Sequence, residues 1–431
     1  MAGLASSPPP IQALTPEYLQ SLVEEATANH PGLRSAEATE RAARHGVQSV
    51  RVWEDPTFRF GGLISSMPRE ELEMEGDLLY GLEQNLPLFG RPTARRREAE
   101  AGLYTAQASA VYQQQMVRLA ILQSAYRLAL ADGLLRVTDE DLALLERMST
   151  FAREQQLAGR ENTLELLRLE NERQRREQQR LTERQQRDFE QASLHRLLGR
   201  PLLDPGPELE IPAPAPAIPL TERLFEMGLR FEPRLQLLRS EVTMADATAD
   251  LTRRSRNPEV MLEIEGRQWS RTGDFREGMF GVSVSLPWFN RGKYRADLDR
   301  DRARAEARRA ETADYELEVR RELFRLWTAI DAARRETELL GDQLIPRSEL
   351  AVDTALAAWT TGRGGFLDLL EARRLLNDAR ADRLRALVEQ HLMIAELTTC
   401  CGVGEVDALL MLADDAPSPT PTTPDAPPTA P

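Results

Sequence analysis

The chain has no run of about 18 apolar residues, the least that a helix needs to cross a bilayer, so it offers no transmembrane helix. Its only cysteines, Cys400 and Cys401, are adjacent, and they supply neither a disulfide framework nor the spaced pairs of a zinc site. A single lysine, Lys293, leaves one candidate for imine chemistry, with no pocket pattern around it. His30, His45, His195 and His391 stand apart, with no second ligand one helical turn away, so no metal site is expected. No nucleophile paired with a base and no phosphate loop can be found, so the expectation is no cofactor and no enzyme. The net charge of −14 lacks the positive surplus that binding phosphates requires, which excludes a nucleic-acid partner. The opening "MAGLASSPPP" has neither the charged nor the apolar region of a secretory signal. That leaves a cytoplasmic protein, or a chain that begins where a signal was removed.

What is present is charge and helix formers. Charged residues make up 29% of the chain and aromatics 6%, a mixture that fits long helices with narrow apolar stripes rather than a thick core. The chain also repeats itself. Pro31 matches Pro233 and Pro56 matches Pro258, "LPLFGR" with Pro87 matches "LPWFNR" with Pro287, and "AGRENTLELL" matches "TGRGGFLDLL". Landmarks in one order at a nearly constant offset identify a tandem duplication.

The expected organisation follows from the repeat. Residues 1–14 form a flexible start, 15–200 a first copy, 220–404 a second copy, and 405–431 a disordered Pro/Thr-rich tail. Between the copies, residues 201–219 carry seven prolines, a density expected to exclude helix and ladder structure. Each copy reads as a short helix (33–50, 234–255), a β-hairpin (56–88, 258–288), a very long helix and a returning helix. No proline interrupts residues 93–200, and apolar or small residues recur at helical spacing over 95–157, a rod of roughly 95 Å at ~1.5 Å per residue. Such rods pack lengthwise, as coiled coils do. The second long helix is expected to start near Tyr294 and to kink at Pro346. Gly159 with Arg160, and Gly362 with Arg363, mark the two reversals.

The hairpins alternate. Val260, Leu262 and Ile264 share one face against Met261, Glu263, Glu265 and Arg267, and Phe280, Val282, Val284 and Leu286 share one against Gly281, Ser283 and Ser285. Phe58, Phe60 and Ile64, with Leu78, Tyr80, Leu82 and Leu86, repeat the pattern in the first copy. Period-two patterning over about 9–10 residues suits barrel strands that span a bilayer, and it also suits soluble hairpins packed on helix ends. Four strands cannot close a barrel, whereas three chains would supply twelve.

Taken with the repeat and the rods, the segments "LEQNLPLFGRPTARRREAEA", "FGVSVSLPWFNRGKYRADLDRDRA" and "WTTGRGGFLDLLEARRLL" resemble the TolC-like outer membrane efflux protein family, in particular its cobalt-zinc-cadmium and copper-silver exporter branch. The resemblance implies a mainly α fold with a small membrane β-barrel part, in which a homotrimer closes a twelve-stranded barrel above a coiled-coil tunnel. It implies outer membrane localisation, contact with outer membrane lipid, and service to a periplasmic adaptor and an inner-membrane pump as a conduit without catalysis, and the branch it resembles implies heavy-metal cations as cargo. The other reading of the residues is a soluble periplasmic helical scaffold or adaptor.

Carried over by position, the resemblance puts Asp368 and Glu371 at a tunnel constriction, with Glu165 as their first-copy counterpart and Arg168 in place of a second acid. It puts Gly159, Arg160, Gly362 and Arg363 at the adaptor-docking tip. Pro87, Phe89 and Arg91, with Pro287, Phe289 and Arg291, then form the joint between barrel and tunnel. Arginines there oppose the positive end of the helix dipole, a cost that lipid phosphates are expected to offset.

Overall fold

In the computed structural model, residues 11–62, 78–157, 163–269 and 273–404 are described. In chain order they form β1 (Ile11–Ala13), α1 (Pro16–Asn29), α2 (Pro31–Ser49), β2 (Thr57–Gly62), β3 (Leu78–Leu86), α3 (Arg91–Leu157), α4 (Thr163–Leu198) and β4 (Glu208–Glu210). The second half forms α5 (Glu222–Phe231), α6 (Pro233–Arg254), β5 (Val260–Gln268), β6 (Phe275–Val284), α7 (Arg291–Leu339), α8 (Ile345–Thr360) and α9 (Phe366–Cys400). No helix among the described residues is long and apolar enough to cross a membrane.

The single short helix expected at the head of each copy is in fact a pair, α1 with α2 and α5 with α6, parted just before Pro31 and Pro233. Proline cannot donate to the preceding turn, so one helix stops and the next begins at it. Thr15 caps α1 by accepting from Tyr18 N at 3.3 Å. The kink expected at Pro346 takes the form of a π-helical segment, Leu340–Leu344, placed between α7 and α8. Pro346 leaves the carbonyl of Asp342 without its donor and its ring crowds that turn, so the helix widens one turn early.

Two compact units are present, and neither coincides with a copy. One gathers Met1–Pro31, Gln114–Pro233 and Leu317–Pro431, the other Gly32–Gln113 and Arg234–Glu316. The second unit holds a four-stranded antiparallel sheet in the order β2-β3-β5-β6, so the two hairpins join through β3 and β5. Its register aligns Phe58, Leu82, Ile264 and Phe280 in one row across all four strands. Thr57, Glu83, Glu263 and Gly281 form the neighbouring row on the opposite face. There Arg59 pairs with Glu83 and, at 3.3 Å, with Glu263. Ile64 and the tail after Gly404 lie outside the described residues.

In the first unit, Leu19, Leu22, Ile121, Ala125, Leu194 and Leu198 build a core between α1, α3 and α4. Here the expectation is corrected for residues 11–14 and for the connector at 208–210, while residues 1–10 lie outside the described residues. Ile11–Ala13 and Glu208–Glu210 form a parallel two-stranded ladder, and Leu14 and Leu209 enter the core. The ladder is possible because residues 208–210 contain no proline; Pro207 and Pro212 flank them. The rest of the connector is tied to the helices by side chains. Gln390 Nε2 donates to the Ala215 carbonyl at 2.9 Å, Trp327 Nε1 to that of Ile218 at 2.8 Å, and His391 Nε2 lies 3.1 Å from that of Ala213.

Asp132 is the firmest of these ties. Its buried carboxylate accepts from Leu209 N at 2.8 Å and from Arg187 Nε at 2.7 Å. Replacing Asp132 with Ala leaves a mostly buried guanidinium without its carboxylate, a loss of about 3–5 kcal/mol by the usual cost of breaking such pairs. The expected result is a lower denaturation midpoint together with faster amide exchange at Leu209. Unchanged exchange there would show that the ladder does not depend on Asp132.

Candidate functional site

In the second unit the joint segments follow directly from the sheet. After Leu86 ends β3, Phe89 and Gly90 both take positive φ, 58° and 68°, and α3 begins at Arg91. The second copy solves the same problem differently: Pro287–Asn290 forms a turn of 3₁₀ helix, with Phe289 N donating to Leu286 O at 3.3 Å, and α7 begins at Arg291. Gly90 against Asn290 explains the difference, since two successive left-handed residues are tolerated best where one is glycine. Phe89 and Phe289 are both exposed, whereas Pro287 is buried.

The arginines opposing the dipole of α3 are met by the protein's own acids. Arg91 pairs with Glu259, and Arg95 Nη1 lies 2.8 Å from Glu54 Oε1. Glu54 also accepts from Asn85 Nδ2 at 2.8 Å, so one carboxylate links the end of β3 to the first turn of α3. The offset expected from lipid phosphates is therefore supplied within the unit at these two arginines. Hydrogen bonds from Asn85 and then Arg95 hold Glu54 below the usual carboxylate range. Its stabilising contribution is thus present above that range and is lost as pH falls through the lowered native value. Wild type should lose thermal stability on acidification more steeply than Glu54→Gln; parallel melting-versus-pH curves would remove this role.

In the first unit the reversal between α8 and α9 is a glycine-built turn. Gly362 has φ 70°, and the amides of Arg363 and Gly364 both reach the Ala358 carbonyl, at 2.9 and 3.0 Å. A Cβ on Gly364 would meet Ala358 Cβ at 2.7 Å, so only glycine fits. Arg363 is exposed at the turn. Gly159 and Arg160 lie outside the described residues.

Asp368 and Glu371 both sit on the exposed face of α9. Asp368 folds back over the helix start, where a Cβ on Gly365 would lie 2.8 Å from Oδ2, and a carboxylate in a first turn is favoured by the helix dipole. Glu371 lines a groove of about 630 Å³ between α4 and α9, with Arg168, Glu172 and Arg374. Glu165 is separate from these acids in its chemistry: it accepts from Trp359 Nε1 at 3.3 Å. Trp359 itself packs edge-on to Phe151, with ring centroids 5.1 Å apart, and against Phe366 at 5.8 Å. The aromatic trio is a feature that the sequence reading missed.

A second missed feature is a charge network in the seam of three helices. Arg373 of α9 places Nη1 at 2.7 Å from both carboxylate oxygens of Asp141 on α3, and Nη2 at 3.3 Å from Glu172 on α4. Their side chains are closed to solvent, 2% exposed for Arg373 and 0% for Asp141. Arg176 also closes on Asp141, and Arg374 on Glu172. The signal was in the spacing: Phe366, Leu369, Leu370, Arg373 and Leu376 form one buried helical face. Cys400 and Cys401 pack at the far end of α9, where burial pushes both thiols up to about 12 and keeps them un-ionised.

Arg373→Ala is expected to cost about 3–5 kcal/mol, because it leaves a buried carboxylate short of its partner. Joint replacement of the closed trio, Arg373→Met and Arg176→Met with Asp141→Leu, should restore most of that loss in denaturant titrations. A triple variant as unstable as the single one would mean that the seam requires charge there.

Residues 22–200 and 227–403 match the outer membrane efflux protein family. Over 175 residues the chain is 24% identical to the cobalt-zinc-cadmium resistance protein CzcC of Cupriavidus metallidurans, a match that spans 40% of each chain. Among solved structures, the outer-membrane channel OprN aligns with a TM-score of 0.77 at 21% identity, covering 90% of both chains. The CmeC outer membrane channel of Campylobacter jejuni aligns with a TM-score of 0.77 at 14% identity, covering 96% of this chain and 94% of that one. At such identities the likeness is one of fold. Because the family match takes in both copies and most of the chain, the chain belongs to the outer membrane efflux protein family.

Proposed function

We propose that the chain is the outer membrane channel of a tripartite efflux system, acting as a homotrimer in which three four-stranded sheets close one twelve-stranded barrel. One observation carries this reading. The row Phe58, Leu82, Ile264 and Phe280 is 67, 46, 61 and 66% exposed, while the opposite face carries paired Arg and Glu. A soluble hairpin pair would turn that apolar row inward; a barrel in lipid turns it outward and keeps charge in the lumen. Two free edges, β2 and β6, then pair with neighbouring copies, since an open edge is not tolerated in hydrocarbon.

The joint residues, Pro87, Phe89 and Arg91 with Pro287, Phe289 and Arg291, sit where strands give way to helices, with the two exposed phenylalanines as anchors at the lipid interface. The helical body stands in the periplasm. Its tip, at the Gly362 and Arg363 turn and its first-copy counterpart at Gly159 and Arg160, meets a periplasmic adaptor that links it to an inner-membrane pump. Asp368 and Glu371 ring the tip lumen as three carboxylates each, which attracts cations and narrows the path. Glu165 supports that constriction indirectly by fixing Trp359. The chain is a conduit and catalyses nothing. The similarity to a cobalt-zinc-cadmium resistance protein supports heavy-metal cations as cargo.

Two experiments test this reading. Detergent-solubilised protein viewed by electron microscopy should be a trimer shaped as a tube; a water-soluble monomer would favour the scaffold instead. In planar bilayers, Asp368→Ala with Glu371→Ala should raise single-channel conductance and weaken block by divalent cations. Currents identical to wild type would place those carboxylates away from the permeation path.

A further inference from the structure

The first unit contains a recess that the conduit reading does not use. It has a volume of about 270 Å³ and opens between α1, α3 and α9. Leu19, Val23, Leu122, Ile394 and Ala395 form its wall. That volume lies near the lower end of the roughly 300–1,000 Å³ usual for small-molecule pockets.

Tyr126 and Arg118 offer donors to this recess, which Gln20, His391 and Thr398 also line. Tyr126 lines the recess, is only 8% exposed, and its hydroxyl has no hydrogen-bond partner among the described residues. Its ring is fixed by stacking on His391, with centroids 5.2 Å apart and planes 9° from parallel. His391 is itself anchored through Nε2 to the Ala213 carbonyl at 3.1 Å. Burial pushes the Tyr126 hydroxyl up to about 12, so it stays protonated and can only gain by meeting an acceptor. The hydroxyl opens into the recess, where water or a bound acceptor can meet it. Arg118 also lines the recess, where it donates to the Gly404 carbonyl at 2.5 Å and adds a positive charge.

A small recess with an apolar wall, a hydroxyl donor open to it and a guanidinium define one kind of ligand. We propose that this recess binds a medium-chain monocarboxylate, with its alkyl chain against Leu19, Val23 and Leu122 and its carboxylate toward Tyr126 and Arg118. The walls belong to one compact unit, so the site stands whether or not the channel reading does.

The probe is octanoate, titrated by calorimetry into full-length protein in lipid nanodiscs, with empty discs subtracted. Octanoate should bind saturably, and octan-1-ol at least tenfold more weakly. Tyr126→Phe, which keeps the ring and its stacking, should weaken octanoate at least about tenfold, the loss expected for one hydrogen bond to a charged group. Leu122→Trp, which fills the recess, should abolish binding, and melting curves check that both variants are folded. Equal binding by wild type and Leu122→Trp would overturn the proposal. So would binding that appears only after the chain is truncated behind Gly404, since the chain's own following residues would then be the occupant.

Discussion

A β-sheet with a continuous apolar face and two open edges cannot rest in water, and the rest of this fold is arranged around that constraint. The four strands keep Phe58, Leu82, Ile264 and Phe280 in register, and the pleat then sends every neighbouring residue to the charged face. Arg59 sits among Glu83 and Glu263 on that second face, which is not suited to packing on a helix, while the apolar row is left exposed. In the proposed barrel, lipid on one side and a solvated lumen on the other would satisfy both. The joints serve the same end: each must stop ladder pairing at once and start a long helix, which Phe89 with Gly90 and the 3₁₀ turn at Pro287 do by different backbones.

The helical part obeys a different rule. Long helices with narrow stripes slide past one another easily, and a polar group in the seam fixes their register because it tolerates only one partner position. Arg373 with Asp141 has that character, locking α3 and α9 and, through Glu172 and Arg176, α4. Asp132 with Arg187 does the same nearer the connector strand. Exposed ion pairs of the kind that cover α7 contribute little each, so it is these closed pairs that set alignment.

Much of this was legible in the residues. The duplication, the long helices and the two faces of β5 and β6 follow from periodicity alone. The pairing of the opening helices was not read, although Thr15-Pro16-Glu17 is a cap, a first-turn proline and a first-turn acid in order. The ladder at Glu208–Glu210 was hidden because proline density was judged over the whole connector, while pairing needs only three proline-free residues and a partner almost two hundred positions away. Phe89 in a left-handed conformation leaves no sequence mark, as the position would normally call for glycine. Asp368, Glu371 and Glu165 were singled out by resemblance alone, but the bond between Glu165 and Trp359 depends on two helices meeting, which no local pattern records.

The orientation of the sheet is the claim on which the rest turns, and spin labels along β6 address it most directly. Single cysteines placed from Phe275 to Val284, in a background with Cys400 and Cys401 replaced by serine, would be labelled and the protein reconstituted in lipid. Collisions with oxygen, which concentrates in the bilayer, should peak at residues 280, 282 and 284. Collisions with a water-soluble nickel chelate should peak at the residues between them. A profile without that alternation, or one with its phase reversed, would contradict a lipid-facing apolar row.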